Sequence, residues 1–134
     1  MIIAICLDDN CGMLFNNRRQ SRDKLLLEDF ISYANGNKIL INDFSQKLFC
    51  DYENFVTVNN SFLDYADEND VCFVENVDVS TYKNKITKLI VYKWNKVYPA
   101  DFSLQLNLND FRLTEAKEFE GSSHEKITRE VYEL

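Results

Sequence analysis

Short apolar runs closed by polar turn formers set the rhythm of this chain, and the first of them, Met1-Ile2-Ile3-Ala4-Ile5-Cys6-Leu7, stops at Asp8-Asp9-Asn10. A continuous run of that length predicts a central strand buried on both faces. A polar loop is expected next, through Gly12 and Asn16-Asn17 to Arg18-Arg19-Gln20. Ser21 then stands where a helix N-cap belongs, with Asp23 in the first turn. Leu26, Leu27, Phe30, Ile31 and Ala34 recur at helical spacing, and Gly36 supplies a stop, so an amphipathic helix is predicted against the sheet. Lys38-Ile39-Leu40-Ile41 reads as a second buried strand, residues 44–50 as a short helix, residues 54–58 as a third strand and Val71 to Val74 as a fourth. Residues 64–70 are an acidic, solvated stretch between them. Residues 86–98 form the longest β-favouring segment. Beyond it, residues 110–119 and 125–133 mix polar and apolar positions on either side of Glu120-Gly121-Ser122-Ser123, which implies an antiparallel hairpin. Strands alternating with helices and a closing hairpin predict an α/β sandwich with a mixed, mainly parallel sheet.

Composition narrows the class without naming a function. A chain of 134 residues that is 46% hydrophobic, with only 3 Gly and 1 Pro, is expected to form a single domain over residues 1–134, with no linker or repeat. No apolar run approaches the roughly 20 residues of a membrane helix, and residues 1–7 are too short and uncharged for a secretory signal, so a cytoplasmic protein is expected. The formal net charge of −7 argues against direct nucleic-acid binding, which needs clustered positive charge; it suits either solubility or docking on a basic partner. Cys6, Cys11, Cys50 and Cys72 contain no Cys-x-x-Cys spacing, and buried reduced thiols are expected rather than disulfides or a zinc site.

The order of segments resembles dihydrofolate reductase. Residues 1–5 leading into Asp8-Asp9-Asn10-Cys11-Gly12 are similar to that family's opening strand and active-site loop, and Lys38-Ile39-Leu40-Ile41-Asn42-Asp43-Phe44-Ser45 to its second strand and following turn. Ala100-Asp101-Phe102, Leu108-Asn109-Asp110-Phe111-Arg112-Leu113, Ser123-His124 and Val131-Tyr132-Glu133-Leu134 resemble its closing segments, while the stretch 51–79 is shorter than the family's middle third. The resemblance implies a three-layer dihydrofolate reductase-like sandwich, and it also implies an active site that this sequence does not keep. The family's pterin-binding carboxylate falls on Leu26, which can neither accept a hydrogen bond nor support an acid-base step. Arg18-Arg19-Gln20-Ser21 stands where the family carries a hydrophobic wall. The cradles for the nicotinamide dinucleotide's phosphates fall on Asp43 and Ser45 and, in place of consecutive glycines, on Glu75-Asn76; carboxylates there repel an anion and side chains block backbone approach. Asn59-Asn60 offers no cation for a 2′-phosphate.

These departures favour a degenerate member of the fold that carries no catalytic, cofactor or metal residues and acts by binding a protein partner, as inhibitor, adaptor or regulatory subunit. The alternative is a divergent NADPH-dependent reductase of a pterin or related small molecule, with Asp23 or Asp29 as its acid, and a third reading is a sensor that keeps the cleft without turnover. The candidate partner surface is Arg18 and Arg19 together with Tyr92, Trp94 and Tyr98. The aromatic trio also fits a sheet face packed under a helix, and the arginines also fit solvated surface or a contact to an acidic face. Lys83, Lys85, Lys88, Lys93 and Lys96 make the neighbouring segment the most basic part of the chain, fit either for an acidic partner or for protecting a strand edge. His124, the only histidine, reads as a surface or strand residue; no cysteine is spaced to pair with it as a nucleophile, and no Walker-type loop is present.

Overall fold

The structure, a computed structural model, describes every residue from Met1 to Leu134. Its backbone follows the apolar runs: β1 (Ile2–Leu7), β2 (Gly12–Phe15), β3 (Arg18–Arg19), α1 (Lys24–Ala34), β4 (Ile39–Ile41), β5 (Val56–Val58), α2 (Phe62–Tyr65), β6 (Val71–Phe73), β7 (Lys88–Lys93), β8 (Phe102–Ser103), β9 (Arg112–Phe119) and β10 (Ile127–Glu133). Seven strands make the main sheet in the order β5-β4-β6-β1-β7-β10-β9. The first five run parallel, and β10 and β9 are antiparallel. This is the expected mixed α/β sandwich with its closing hairpin.

β1 lies at the centre, and its continuous apolar sequence follows from that place, because one side chain after another must meet a covered face. Ile3, Ile5 and Leu7 join Leu89, Val91, Phe62, Leu63 and Phe111 in a core on one side. Ala4 joins Ile41, Phe73, Ile90 and Tyr92 on the other, beneath Leu26, Leu27, Phe30 and Ala34 of α1. Phe30 sits 5.3 Å from Phe73 and 6.1 Å from Phe49, centroid to centroid, and each such fully buried ring is worth about 1.5–3 kcal/mol.

Local chemistry moved several boundaries. Asp23, not Ser21, is the N-cap of α1: its backbone is extended and its carboxylate accepts the amides of Leu25 and Leu26. The helix closes through Asn35, in the left-handed region, with Gly36 following it there. The short helix expected at 44–50 is instead a 3₁₀ turn at Asp43–Ser45, and a second 3₁₀ stretch covers Cys50–Phe55. In the shortened middle, the helix between β5 and β6 is a single turn. The long segment 86–98 narrows to β7 because the chain turns at Asn95, whose φ is 58°.

The loop expected at 12–20 is in fact a hairpin. Asn16 and Asn17 both take positive φ, 51° and 59°, the requirement of a two-residue turn that matches strand twist, and β2 and β3 flank it. With β8 they form a small antiparallel sheet, β3-β2-β8, packed at the carboxyl end of β1. Open α/β sheets present their clefts along that edge. Asp8, Asn42, Glu75 and Trp94 each follow a parallel strand there.

Candidate functional site at the carboxyl edge of the sheet

Three polar clusters occupy this edge. The first is Asp8, which is buried and receives the amides of Gly12 at 2.7 Å, Asn10 at 2.9 Å and Tyr98 at 3.1 Å. Burial opposes its charge, but the Gly12, Tyr98 and Asn10 amides and the Gln20 side chain outweigh that and hold the carboxyl below its usual value. The residue locks the β1–β2 turn to the chain after β7. Gly12 is required at this closeness, since a Cβ there would stand 2.6 Å from the Ala100 Cβ.

The second cluster lies where the resemblance puts the dinucleotide phosphates. Glu75 receives Arg19 through two bonds, Nε at 2.8 Å and Nη2 at 3.0 Å, and Ser45 Oγ at 2.7 Å. Arg19 also reaches the Phe44 carbonyl and lies 5.2 Å above the Phe44 ring, and Asn42 donates to Asn76 Oδ1 at 2.8 Å. These residues do not fit a dinucleotide. The reason differs from the repulsion expected of Glu75, because Arg19 balances its charge; the groups that would hold phosphate are bonded to one another. Asp43 exchanges hydrogen bonds with the neutral Asn60, its amide donating to Oδ1 and its carboxylate accepting from Nδ2.

The third cluster joins α1 to the 120–124 loop. Asp23 Oδ1 accepts the Ser122 amide at 2.9 Å in addition to its capping bonds, and Oδ2 accepts the Ser123 amide at 2.9 Å and His124 Nδ1 at 3.0 Å. Burial alone would raise its carboxyl; the Ser123 and Ser122 amides, the His124 ring and the Leu26 amide reverse the sign and hold it far below the usual carboxylate range. An ionised Asp23 can only accept, so His124 donates from Nδ1 and turns Nε2 the other way. That nitrogen meets Ser21 Oγ at 3.1 Å and Tyr98 Oη at 3.0 Å. Trp94 stacks on the imidazole, centroids 4.6 Å apart and planes 27° from parallel, fixing its orientation.

Between the second and third clusters runs a slot lined by Met13, Leu26, Leu27, Leu48, Phe73 and Trp94, with Ser21 and Asp23 at its side and a free volume of about 20 Å³. That is room for about one water. Leu26, on the expected pterin-carboxylate position, faces this slot and is itself buried. Of the two substitute acids, Asp23 accepts hydrogen bonds on both oxygens, and Asp29 is bound to Arg129 Nη1 at 2.6 Å and to Tyr92 Oη at 2.7 Å.

The five residues expected to face a partner do not form one surface. Tyr92 is wholly buried, edge-on to Phe30 and Phe119, because β7 is covered there by α1. Trp94 is buried against His124, and Arg19 turns inward to Glu75. Only Arg18 is fully exposed, with Tyr98 half-buried; these two, with Phe15 and Pro99, line an open recess of about 500 Å³. The expectation of a surface histidine is likewise corrected, since His124 is 5% exposed. The Ser21–His124–Asp23 arrangement escaped sequence reasoning because its ends are about a hundred positions apart. The only trace of it was a lone histidine beside Ser122-Ser123.

No family model and no curated protein matches the sequence. Among solved structures, dihydrofolate reductase from Enterococcus faecalis, complexed with NADP(H) and RAB-propyl, superimposes with a TM-score of 0.69 at 12% identity, over 99% of this chain and 95% of that one. Correspondence along the whole length, with the same mainly parallel sheet ending in an antiparallel hairpin, gives this chain the dihydrofolate reductase fold.

Proposed function

We propose that this chain is a dihydrofolate reductase-like domain that has given up hydride transfer and acts by binding a protein partner. The observation that carries this reading is the self-satisfied cofactor edge, in which Arg19, Glu75 and Ser45 bond one another across the position of the phosphates. Admitting a dinucleotide there requires breaking a largely buried, bidentate ion pair, which costs about 3–5 kcal/mol when one partner is left alone. The slot beside Leu26 adds a second obstacle, with about 20 Å³ where a pterin ring needs an order of magnitude more. A slot of this size also weakens the sensor reading. Fold alone does not transmit activity, so the reductase's chemistry does not come with its scaffold.

The partner face is the recess of Phe15, Arg18, Tyr98 and Pro99, where a large apolar side chain that is 42% exposed stands beside an unpaired guanidinium. An apolar anchor flanked by one cation suits a protein surface that offers a hydrophobic side chain next to a carboxylate. Calorimetric titration with NADPH, with and without an antifolate, tests the first half of this reading. No heat is expected at millimolar cofactor, and micromolar binding would overturn it. Chemical cross-linking in the native host, followed by titration of any captured protein in purified form, tests the second. Affinity is expected to fall about tenfold or more in Phe15→Asp and in Arg18→Glu, and an unchanged affinity would move the interface elsewhere.

A further inference from the structure

We propose that Ser21, His124 and Asp23 form a nucleophilic triad that cleaves short-chain carboxylic esters. The three side chains are in series: Ser21 Oγ to His124 Nε2 at 3.1 Å, and His124 Nδ1 to Asp23 Oδ2 at 3.0 Å. A nucleophile hydrogen-bonded to a base, and the base to a buried carboxylate, is the arrangement by which hydroxyls are activated on unrelated folds. The third member is held unusually firmly, by the amides of Leu25, Leu26, Ser122 and Ser123 and by both serine hydroxyls of the loop. Those bonds fix Asp23 as the acceptor for Nδ1 and so direct Nε2 at Ser21, where it serves as the base, while Trp94 packs on the face of the ring.

The surroundings of Ser21 match the reaction. The residue is partly exposed at the side of the slot, so its hydroxyl is reachable while Asp23 and His124 are not. The amides of Ser21 and Arg22 donate to no acceptor within the protein. The slot's free volume of about 20 Å³, room for little more than one water, disfavours long acyl chains beside Ser21, with the alcohol portion directed to solvent. In the acylation step Oγ bonds to the ester carbonyl carbon as its proton passes to Nε2. The tetrahedral species collapses by breaking the bond to the alcohol oxygen, which takes that proton. Water then attacks the acyl-serine with Nε2 again as base, releasing the carboxylic acid and restoring Ser21. Tyr98 also reaches Nε2, at 3.0 Å, and competes with Ser21 for its single lone pair, so turnover is slow relative to an open triad.

This inference stands apart from the partner-binding reading and is tested by other measurements. The full chain is incubated with an alkyl fluorophosphonate and analysed by intact and peptide mass spectrometry, and separately with p-nitrophenyl acetate. The expected results are one phosphonyl group per chain on Ser21, a nitrophenolate burst of up to one equivalent, and loss of both in Ser21→Ala with unchanged circular dichroism. Acetate is expected to react at least tenfold faster than the hexanoate. A folded wild-type protein that stays unlabelled at millimolar probe, or labelling that persists in Ser21→Ala, would overturn the proposal.

Discussion

Asp23 concentrates more structural consequence than any other single residue in the chain. It starts α1, anchors the 120–124 loop and orients His124, all through one buried carboxylate. Asp23→Ala removes a helix cap and the acceptor of the Ser122 and Ser123 amides, and the expected loss is about 1–3 kcal/mol in urea unfolding. The pH dependence follows from the depressed folded value. A carboxyl that binds its proton more weakly in the folded chain than in the unfolded one adds stability above the unfolded value near about 4, and that stability drains away as pH falls further. Asp8 contributes with the same sign. Asp23→Asn is therefore expected to flatten the stability profile below pH ~4 relative to the wild type, in urea titrations at pH 2.5–7. An unchanged acid limb would mean that Asp23 does not carry the linkage. Gly121 guards the same carboxylate: a Cβ there would fall on Asp23 Oδ2 and lie 2.8 Å from Ile127 Cδ1.

At the scale of elements, the hairpin β2–β3 decides what the cleft becomes. Its turn delivers Arg19 to Glu75, and β3 leads directly into Gln20 and Ser21. The turn depends on Asn16 and Asn17, because asparagine enters the left-handed region at far lower cost than residues with ordinary side chains, for which the penalty is about 1–2 kcal/mol each. Replacing both with alanine is expected to destabilise the fold by about 2–4 kcal/mol and to loosen Arg19 from Glu75. Amide hydrogen exchange of residues 12–20 should accelerate in that variant while β1 and β7 stay protected; uniform exchange changes would indicate that the hairpin is not a separate unit. The opposite edge is managed differently. β9 is exposed along almost its whole length, and Arg112, Glu115, Lys117 and Glu118 discourage strand addition there.

For the whole molecule, two cores on either side of one sheet account for the thiols as well as the helices. Cys72 is buried in β6 and its thiol is pushed up to about 12, mainly by burial, and Cys6 in β1 is raised well above the usual value for the same reason. Cys11 and Cys50 are exposed, which corrects the expectation of buried thiols for those two, and all four are free. Alkylation at neutral pH is expected to modify Cys11 and Cys50 in the native protein and all four cysteines in denaturant, counted by mass spectrometry. Rapid native labelling of Cys72 would contradict the packing of the central strands. No helix of the molecule is long and apolar enough to cross a membrane.

What the sequence determined by itself was the sheet and its cover. β1, β4, β6 and β7 were legible because a strand buried on both faces must be apolar throughout, and α1 because a helix with one covered face repeats its apolar residues every three or four positions. The leucine at position 26, where the resemblance expects a carboxylate, was legible as well. Tertiary structure alone decided the polar constellations. Whether Trp94 and Tyr92 faced solvent or α1 depended on which side of β7 the helix packed, and period-two spacing is the same in both cases. Glu75 was a repelling charge until the β2–β3 hairpin brought Arg19 against it. Ser21, Asp23 and His124 meet only because β10 pairs with β7, seating the loop before it on the start of α1, and local pattern cannot encode a contact between positions 21 and 124.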